Sequence, residues 1–250
     1  MTGPAPMAGA YARPGRSRRM EIRGERECTE CGERWSYYET GQVECPGCGS
    51  VRSVGVGDRA EHTDSPVELD LTEVRNAVDT APVDELAERA GEAAAEYVRR
   101  AGFVHAGRLQ PLGDTYLAAA ELRRVGAELG RRLRVDDEEE LYLLELLRTA
   151  DADDRPAPAE VPAGLRATRG LAVAAAADAY ASDLRRLYDD PEPGVAKTLS
   201  AVRAERKRVE ALDGDVDPER AEGVVRALRD LHAYLDAGDE TALARARERL

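Results

Sequence analysis

Lysine is nearly missing from this 250-residue chain: Lys197 and Lys207 stand against 34 arginines. Phe103 is the sole phenylalanine and Trp35 the sole tryptophan. With so few large aromatic residues the interior must be filled by alanine and aliphatic side chains, which implies thin helices packed close together. No segment reaches the ~20 apolar residues that a membrane-spanning helix needs. The longest small-apolar run, Leu171–Ala181, is interrupted by Asp178. "RSRRM" at Arg16–Met20 has the look of a twin-arginine export signal, but "EIRGERE" follows in place of an apolar stretch. Export is therefore not expected, and the expected location is the cytoplasm. Cysteine is absent outside residues 28–48. Four thiols paired as C-x-x-C twice point to metal or redox chemistry, not to a disulfide framework.

Acid is abundant where lysine is scarce. Asp and Glu number 49 and the formal net charge is −13. A GC-rich genome accounts for surplus Arg, Ala and Gly, but not for so many carboxylates. Self-repulsion on this scale destabilises a compact state unless salt screens it. We read the chain as adapted to a high-salt cytoplasm. The charge is unevenly spread: nine arginines face eight acids up to residue 60, and 41 acids face 27 basic residues beyond it.

The pattern changes along the chain. Residues 1–19, rich in Gly, Pro and Arg without a period, are expected to be disordered, and Met20 is a candidate translation start. Residues 20–60 read as short strands and turns. "ERWSYYE" alternates, placing Trp35 and Tyr37 on one face and Arg34, Ser36 and Tyr38 on the other. "TGQ" supplies a turn glycine, and "VRSVGV" at Val51–Val56 is a candidate third strand. From about Asp70 the period becomes helical. Val83, Leu86, Ala87, Ala90, Ala94, Tyr97, Val98 and Ala101 share one helix face. Thr80 is the expected cap, with Pro82 in the first turn and Arg99, Arg100 and Gly102 at the stop. "DDEEELYLLELLRTA" is apolar almost all round, as a helix buried between others would be. "DADDRPAPAEVPAG", residues 151–164, is the expected linker between a helical bundle over 70–150 and a second helical segment over 165–250. The expected fold is mostly α: a small β zinc ribbon followed by seven or eight helices.

Cys28-x-x-Cys31, thirteen residues, then Cys45-x-x-Cys48 is the strongest motif in the chain. Two residues between cysteines let one tight turn aim both sulfurs at one ion, and a hairpin of the intervening length closes a tetrahedron of thiolates. Gly32 and Gly49 follow the second and fourth cysteines. There, positive φ turns backbone N–H groups toward the sulfurs. Four sulfurs leave no open position, so zinc at Cys28, Cys31, Cys45 and Cys48 would be structural. The two knuckles also resemble those of rubredoxins, and thiolates accept iron as well as zinc. Rubredoxins, however, separate their knuckles more widely and surround the site with more aromatics. The module is similar to the zinc ribbons of archaeal transcription factor B, RNA polymerase subunits and ribosomal proteins. The whole chain, with "RGERECTECGERWSYYETG" and "CPGCGSVRSVG" ahead of helices, resembles haloarchaeal zinc-ribbon proteins of unassigned function. That resemblance implies the same four zinc ligands and no particular reaction.

The leading functional expectation is a non-enzymatic zinc-binding protein whose ribbon is a recognition or adaptor module in a transcription or RNA-processing assembly. Its expected partner is a protein, with nucleic acid a further candidate through the ribbon. Arg23, Arg26, Arg34, Arg52 and Arg59, beside Trp35 and Tyr38, can bind phosphates and stack bases, with Arg34, Tyr38 and Arg52 the candidate contact face. The plain alternative is that arginine is simply the cation this proteome uses. A rubredoxin-like electron carrier is the alternative reading, and an enzyme with a pocket among the helices is a third. "GFVHAGRLQPLGDTY", residues 102–116, is the loop that would carry such a pocket. It gathers Phe103, His105, Arg108, Asp114 and Tyr116, or else Asp114 caps the next helix and the others pack. His232 falls on an apolar stripe and reads as a core residue, whereas His62 reads as a solvated loop residue.

Overall fold

A computed structural model describes residues 21–250; the readings of disorder over 1–19 and of a start at Met20 lie outside the described residues. The chain is mostly α. A three-stranded antiparallel sheet is formed by β1 (Glu21–Cys28), β2 (Arg34–Ser36) and β3 (Ser53–Glu61), in the order β2-β1-β3. One helical turn, α1 (Tyr37–Thr40), lies within this ribbon. Eight helices follow: α2 (Thr72–Asn76), α3 (Val83–Arg100), α4 (Asp114–Leu129), α5 (Asp137–Thr149), α6 (Arg166–Leu187), α7 (Pro193–Ala211), α8 (Pro218–Ala237) and α9 (Glu240–Glu248). A two-stranded hairpin, β4 (Val104–His105) and β5 (Arg108–Leu109), sits between α3 and α4.

The alternation read across "ERWSYYE" stops at Ser36, where the chain turns helical and closes on Gly41 at φ +63°. Tyr38 explains the change. Its ring lies against Gly24, where a Cβ would meet the ring at 1.8 Å, and its hydroxyl donates to Ile22 O at 2.8 Å. A straight strand would hold Tyr38 away from this seat. The third strand runs beyond the expected Val56 to Glu61, with a bulge opposite Gly24 between the Arg23 and Glu25 pairings.

In the helical region α3 and α4 approach closely. A Cβ on Gly126 would lie 2.3 Å from Ala87 O, so only glycine admits this contact between backbones. One apolar cluster joins Leu86 and Ala90 of α3 to Leu122 and Val125 of α4 and to Leu143 and Leu146 of α5. A second joins Leu117 of α4 to Tyr180 and Leu184 of α6, Leu199 of α7 and Leu228 of α8. Helix α4 therefore serves both clusters from opposite faces.

Three local expectations need correction. Pro82, not Thr80, occupies the N-cap of α3, and the Thr80 hydroxyl donates to Ala77 O in the preceding turn. Asp114 is the first residue of α4, not its cap. Its carboxylate accepts from Arg155, while Asp153 Oδ1 accepts from Thr115 N at 2.9 Å. Helix α5 buries one stripe only: Tyr142, Leu143, Leu146 and Leu147 are buried, but Leu141 is exposed. A capping box between Asp136 and Glu139 sets its start.

The 151–164 segment is anchored to the helices at a few points, although most of its residues are exposed. It folds into short 3-10 turns, and Arg155, with its side chain 5% exposed, reaches Asp114 of α4 and Glu222 of α8. Arg169 of α6 is fully buried beside it. Its Nη1 donates to Glu121 Oε2 at 2.7 Å, to the Tyr142 hydroxyl at 3.0 Å and to Pro156 O at 3.1 Å. This ionic network joins α4, α5, α6 and α8 across the supposed boundary between two bundles.

Candidate metal centre

The first cysteine pair flanks the turn between β1 and β2, and the second lies in the turn before β3. Each forms a knuckle of the same construction. Gly32 N donates to Cys28 O at 3.0 Å, and Gly49 N to Cys45 O at 2.8 Å. Gly32 and Gly49 take φ of +78° and +71°, as the motif requires. Cys28 N donates to Glu33 O and Cys45 N to Ser50 O, closing both turns. Strand pairing of Cys28 with Ser53 then brings the two knuckles together.

The result is one cluster. All four Sγ atoms lie within 4.8 Å of one another, with Cys28 Sγ to Cys48 Sγ at 3.7 Å and Cys31 Sγ to Cys45 Sγ at 3.5 Å. Cys28 and Cys45 are buried, and Cys31 and Cys48 are exposed. Backbone N–H groups of Cys31 and Glu30 hold the Cys28 thiol down at about 7 against the opposing effect of burial. At Cys31 the Glu33 N–H pulls the same way, but the neighbouring Cys45 and Cys48 sulfurs and burial prevail and push the thiol up to about 12. Four sulfurs this close cannot all be thiolates without a cation, so the geometry and the protonation cost together fit a tetrahedral metal ion. Four cysteine ligands leave no coordination position for a substrate.

Trp35 closes the module from beneath. It is 7% exposed, packs with Cys28 and Cys45, and donates Nε1–H to Gln42 O at 2.9 Å. It therefore has no free face for a base. Tyr38 is likewise engaged: half-buried, it contacts His62 with ring centroids 4.5 Å apart. Arg34 pairs with Glu27 Oε2 through Nε at 2.7 Å, and Arg52 with Glu30 Oε1 at 3.0 Å; both arginines are exposed. Tyr38 shares no hydrogen bond or ring contact with either of them among the described residues.

The 102–116 loop proves to be a joint. Ala106 and Gly107, at φ +49° and +79°, make the two-residue turn of the β4–β5 hairpin. Phe103 packs edge-on against Tyr116 and Tyr180 at 4.6 and 4.9 Å. Ribbon and hairpin meet here: Thr63 N donates to Val104 O, Gly107 N to Glu61 O, and Ala106 N to His62 Nδ1. Asp183 of α6 accepts from both the Thr63 hydroxyl and Phe103 N. His62 is thus buried, contrary to the reading as a solvated residue, and burial together with nearby His105 lowers its pKa. His232 is half-buried, and burial lowers its pKa too.

Signals for the joint were weak in the sequence, because its partners come from three separated segments. No helix among the described residues is long and apolar enough to cross a membrane. No curated protein and no solved structure matches the chain. Residues 20–250 match one family model, described as "Family of unknown function (DUF7117)", and the chain belongs to that family.

Proposed function

We propose that the cysteine cluster holds one structural zinc ion and that the ribbon is a non-enzymatic recognition or adaptor module carried on the helical body. The observation that supports this most directly is the single four-sulfur cluster within 4.8 Å. Its ligand set is complete without substrate, and paired C-x-x-C knuckles with glycines at positive φ suit zinc. The likeness of the module to the ribbon of archaeal transcription factor B favours a role in transcription or RNA processing. Exposed apolar side chains support a protein partner: Val43, Val51 and Val54 of the ribbon are 48%, 67% and 49% exposed. In a cytoplasm of high salt such a surface keeps its binding strength, whereas ion pairs are screened within ~3 Å at molar salt.

Metal analysis of the protein purified from its native cells tests the first half of the proposal. One zinc per chain and a colourless solution are expected. Stoichiometric iron with visible absorption would instead establish the rubredoxin-like carrier. Affinity purification of the tagged chain in high salt tests the second half. A defined transcription or RNA-processing assembly is expected, and its loss when Val51 and Val54 are replaced by serine would identify the ribbon as the contacting part.

A further inference from the structure

A cavity of about 980 Å³ lies where the ribbon sheet meets the helical body. Arg23, Arg26, Arg59, Arg100, His62 and Tyr37 line it. Four arginines line it on a chain of net charge −13, and only Glu21 and Asp64 among the lining residues are acidic.

Strand geometry produces this concentration. On β1, Arg26 lies between Glu25 and Glu27, so alternation sends the two carboxylates to the opposite face of the sheet. Glycine stands opposite Arg26 on β3, at Gly55. A Cβ there would be 3.0 Å from the Arg23 Cβ, so this glycine lets the Arg23 side chain lie across the sheet. Past the bulge, Arg23 and Arg59 are direct cross-strand partners. Like charges directly opposite in an antiparallel pair are destabilising.

None of Arg23, Arg26 and Arg59 has a carboxylate partner among the described residues. Arg23 Nη1 donates to Gly57 O at 2.7 Å, and Arg26 donates to Ser53 Oγ and Ser53 O at 3.0 and 3.3 Å. These bonds orient two forks without neutralising them. Arg34 and Arg52, on the same ribbon, are both neutralised by glutamates. Arg100 approaches Glu96 only at 3.9 Å. His62 Nδ1 accepts from Ala106 N at 3.2 Å, which leaves Nε2 to carry the ring proton of the neutral form.

We propose that this cleft binds the phosphodiester backbone of a single-stranded nucleic acid, with one phosphate between Arg23 and Arg59. A phosphate accepts from two guanidinium forks at once and removes the repulsion between them. The cleft is far larger than one phosphate, and half-buried Tyr37 beside the arginines offers a ring for an unstacked base. The proposal deepens the recognition reading above and rests on it, while moving the contact from Arg34, Tyr38 and Arg52 to the opposite arginines.

The test is fluorescence anisotropy with the full, metal-loaded chain and a labelled single-stranded RNA or DNA of about ten nucleotides, from low to molar KCl. The double variant Arg23→Gln, Arg59→Gln should bind about tenfold more weakly or worse, with its salt slope reduced by about 0.7, the share of one single-strand phosphate. Arg34→Gln with Arg52→Gln should bind as the parent does. Binding with equal affinity in all three proteins, or by none at any salt, would overturn the proposal. Equal binding of a poly-glutamate of the same length would overturn it as well, because the cleft would then be a general anion site. Thermal melting provides a second readout. Without ligand the Arg23/Arg59 variant should melt no lower than the parent at low salt, and the oligonucleotide should raise the melting temperature of the parent only. The underlying recognition reading is judged separately, by zinc content and by the recovered protein assembly, neither of which depends on these arginines.

Discussion

Ribbon and helical body are held together by different physics. In the ribbon the buried apolar cluster consists of Cys28, Trp35 and Cys45, two of which belong to the four-sulfur cluster. In the body two clusters of aliphatic and aromatic side chains run through α3 to α8 and share α4. A module with so little to bury is one that the proposed metal ion would stabilise, because binding of such an ion is itself folding free energy. A body this rich in alanine gains its stability from close approach, as at Gly91 and Gly126. The comparison yields opposite vulnerabilities: the ribbon should be lost by removing one candidate ligand atom, the body weakened by adding one carbon.

The largest effect is expected at the cysteines. Cys45→Ser removes one of four ligands where none is spare, and structural zinc in such sites contributes ~10–16 kcal/mol apparent at neutral pH. The variant should lose its metal and the ribbon strands, while far-UV helicity remains nearly intact. Circular dichroism with parallel metal analysis reads both. Chelation of the parent protein should do the same, and loss of most helical signal in either experiment would show that the body depends on the ribbon.

The buried ionic network of the body comes next. Arg169 is fully buried among Glu121, Tyr142 and Pro156 O, and Glu121 is fully buried with it, its pKa raised by burial despite the opposing Arg169 charge. Arg169→Ala would strand the Glu121 carboxylate, and breaking a buried pair from one side costs about 3–5 kcal/mol. Arg169→Met together with Glu121→Gln should recover much of that loss, because neither charge is then left without its partner. Denaturant melts of the single and double variants decide the matter. Equal destabilisation in the two would argue that packing, not charge, is what matters at this position.

Close approach predicts a smaller loss. Gly126→Ala places a methyl 2.3 Å from Ala87 O and 2.7 Å from Gly91 Cα, both backbone atoms that a rotamer change cannot clear. Helix propensity favours the substitution by up to about 1 kcal/mol, while forced separation of packed helices costs about 1–3 kcal/mol. A net destabilisation is expected, and an unchanged or higher melting temperature would show that the α3–α4 interface can yield.

Which parts of this architecture were legible in the sequence follows from sequence separation. The cysteine knuckles are local patterns with glycines at fixed offsets, so the turns and the gathering of the four sulfurs could be read directly. Helices with long apolar stripes, such as α3, were legible for the same reason. Tyr38 was not, because its seat depends on Gly24 fourteen residues earlier in the chain and on the bulge in β1–β3 pairing. Arg155 was misplaced in a linker because its partners Asp114 and Glu222 lie 41 and 67 residues away. Its Pro-rich surroundings carry the signature of a loop, and nothing local marks which residues of such a mostly exposed loop reach into the interior. The arginines at 23 and 59 were visible as basic residues, but their opposition across two strands needed the register.

The smallest mutational effect should be found at the exposed pairs of the ribbon. Arg52 meets Glu30 with its side chain 77% exposed, in a geometry that gains little over hydration. Surface pairs of this kind contribute about 0–1 kcal/mol and are screened by salt. Arg52→Ala should therefore shift the ribbon's melting by little in dilute buffer and by nothing measurable in molar KCl. Salt should act on the body in the opposite sense. After residue 60 the chain carries 41 acids against 27 basic residues, so screening relieves more repulsion than the attraction it removes from pairs such as Arg206–Glu210. Differential scanning calorimetry of the parent in rising KCl should show the body's transition moving upward while the Arg52→Ala and parent ribbons converge. A body transition indifferent to salt would remove the physical basis for reading this acidic surface as an adaptation to high salt, and would leave the ion pairs as its main stabilising use.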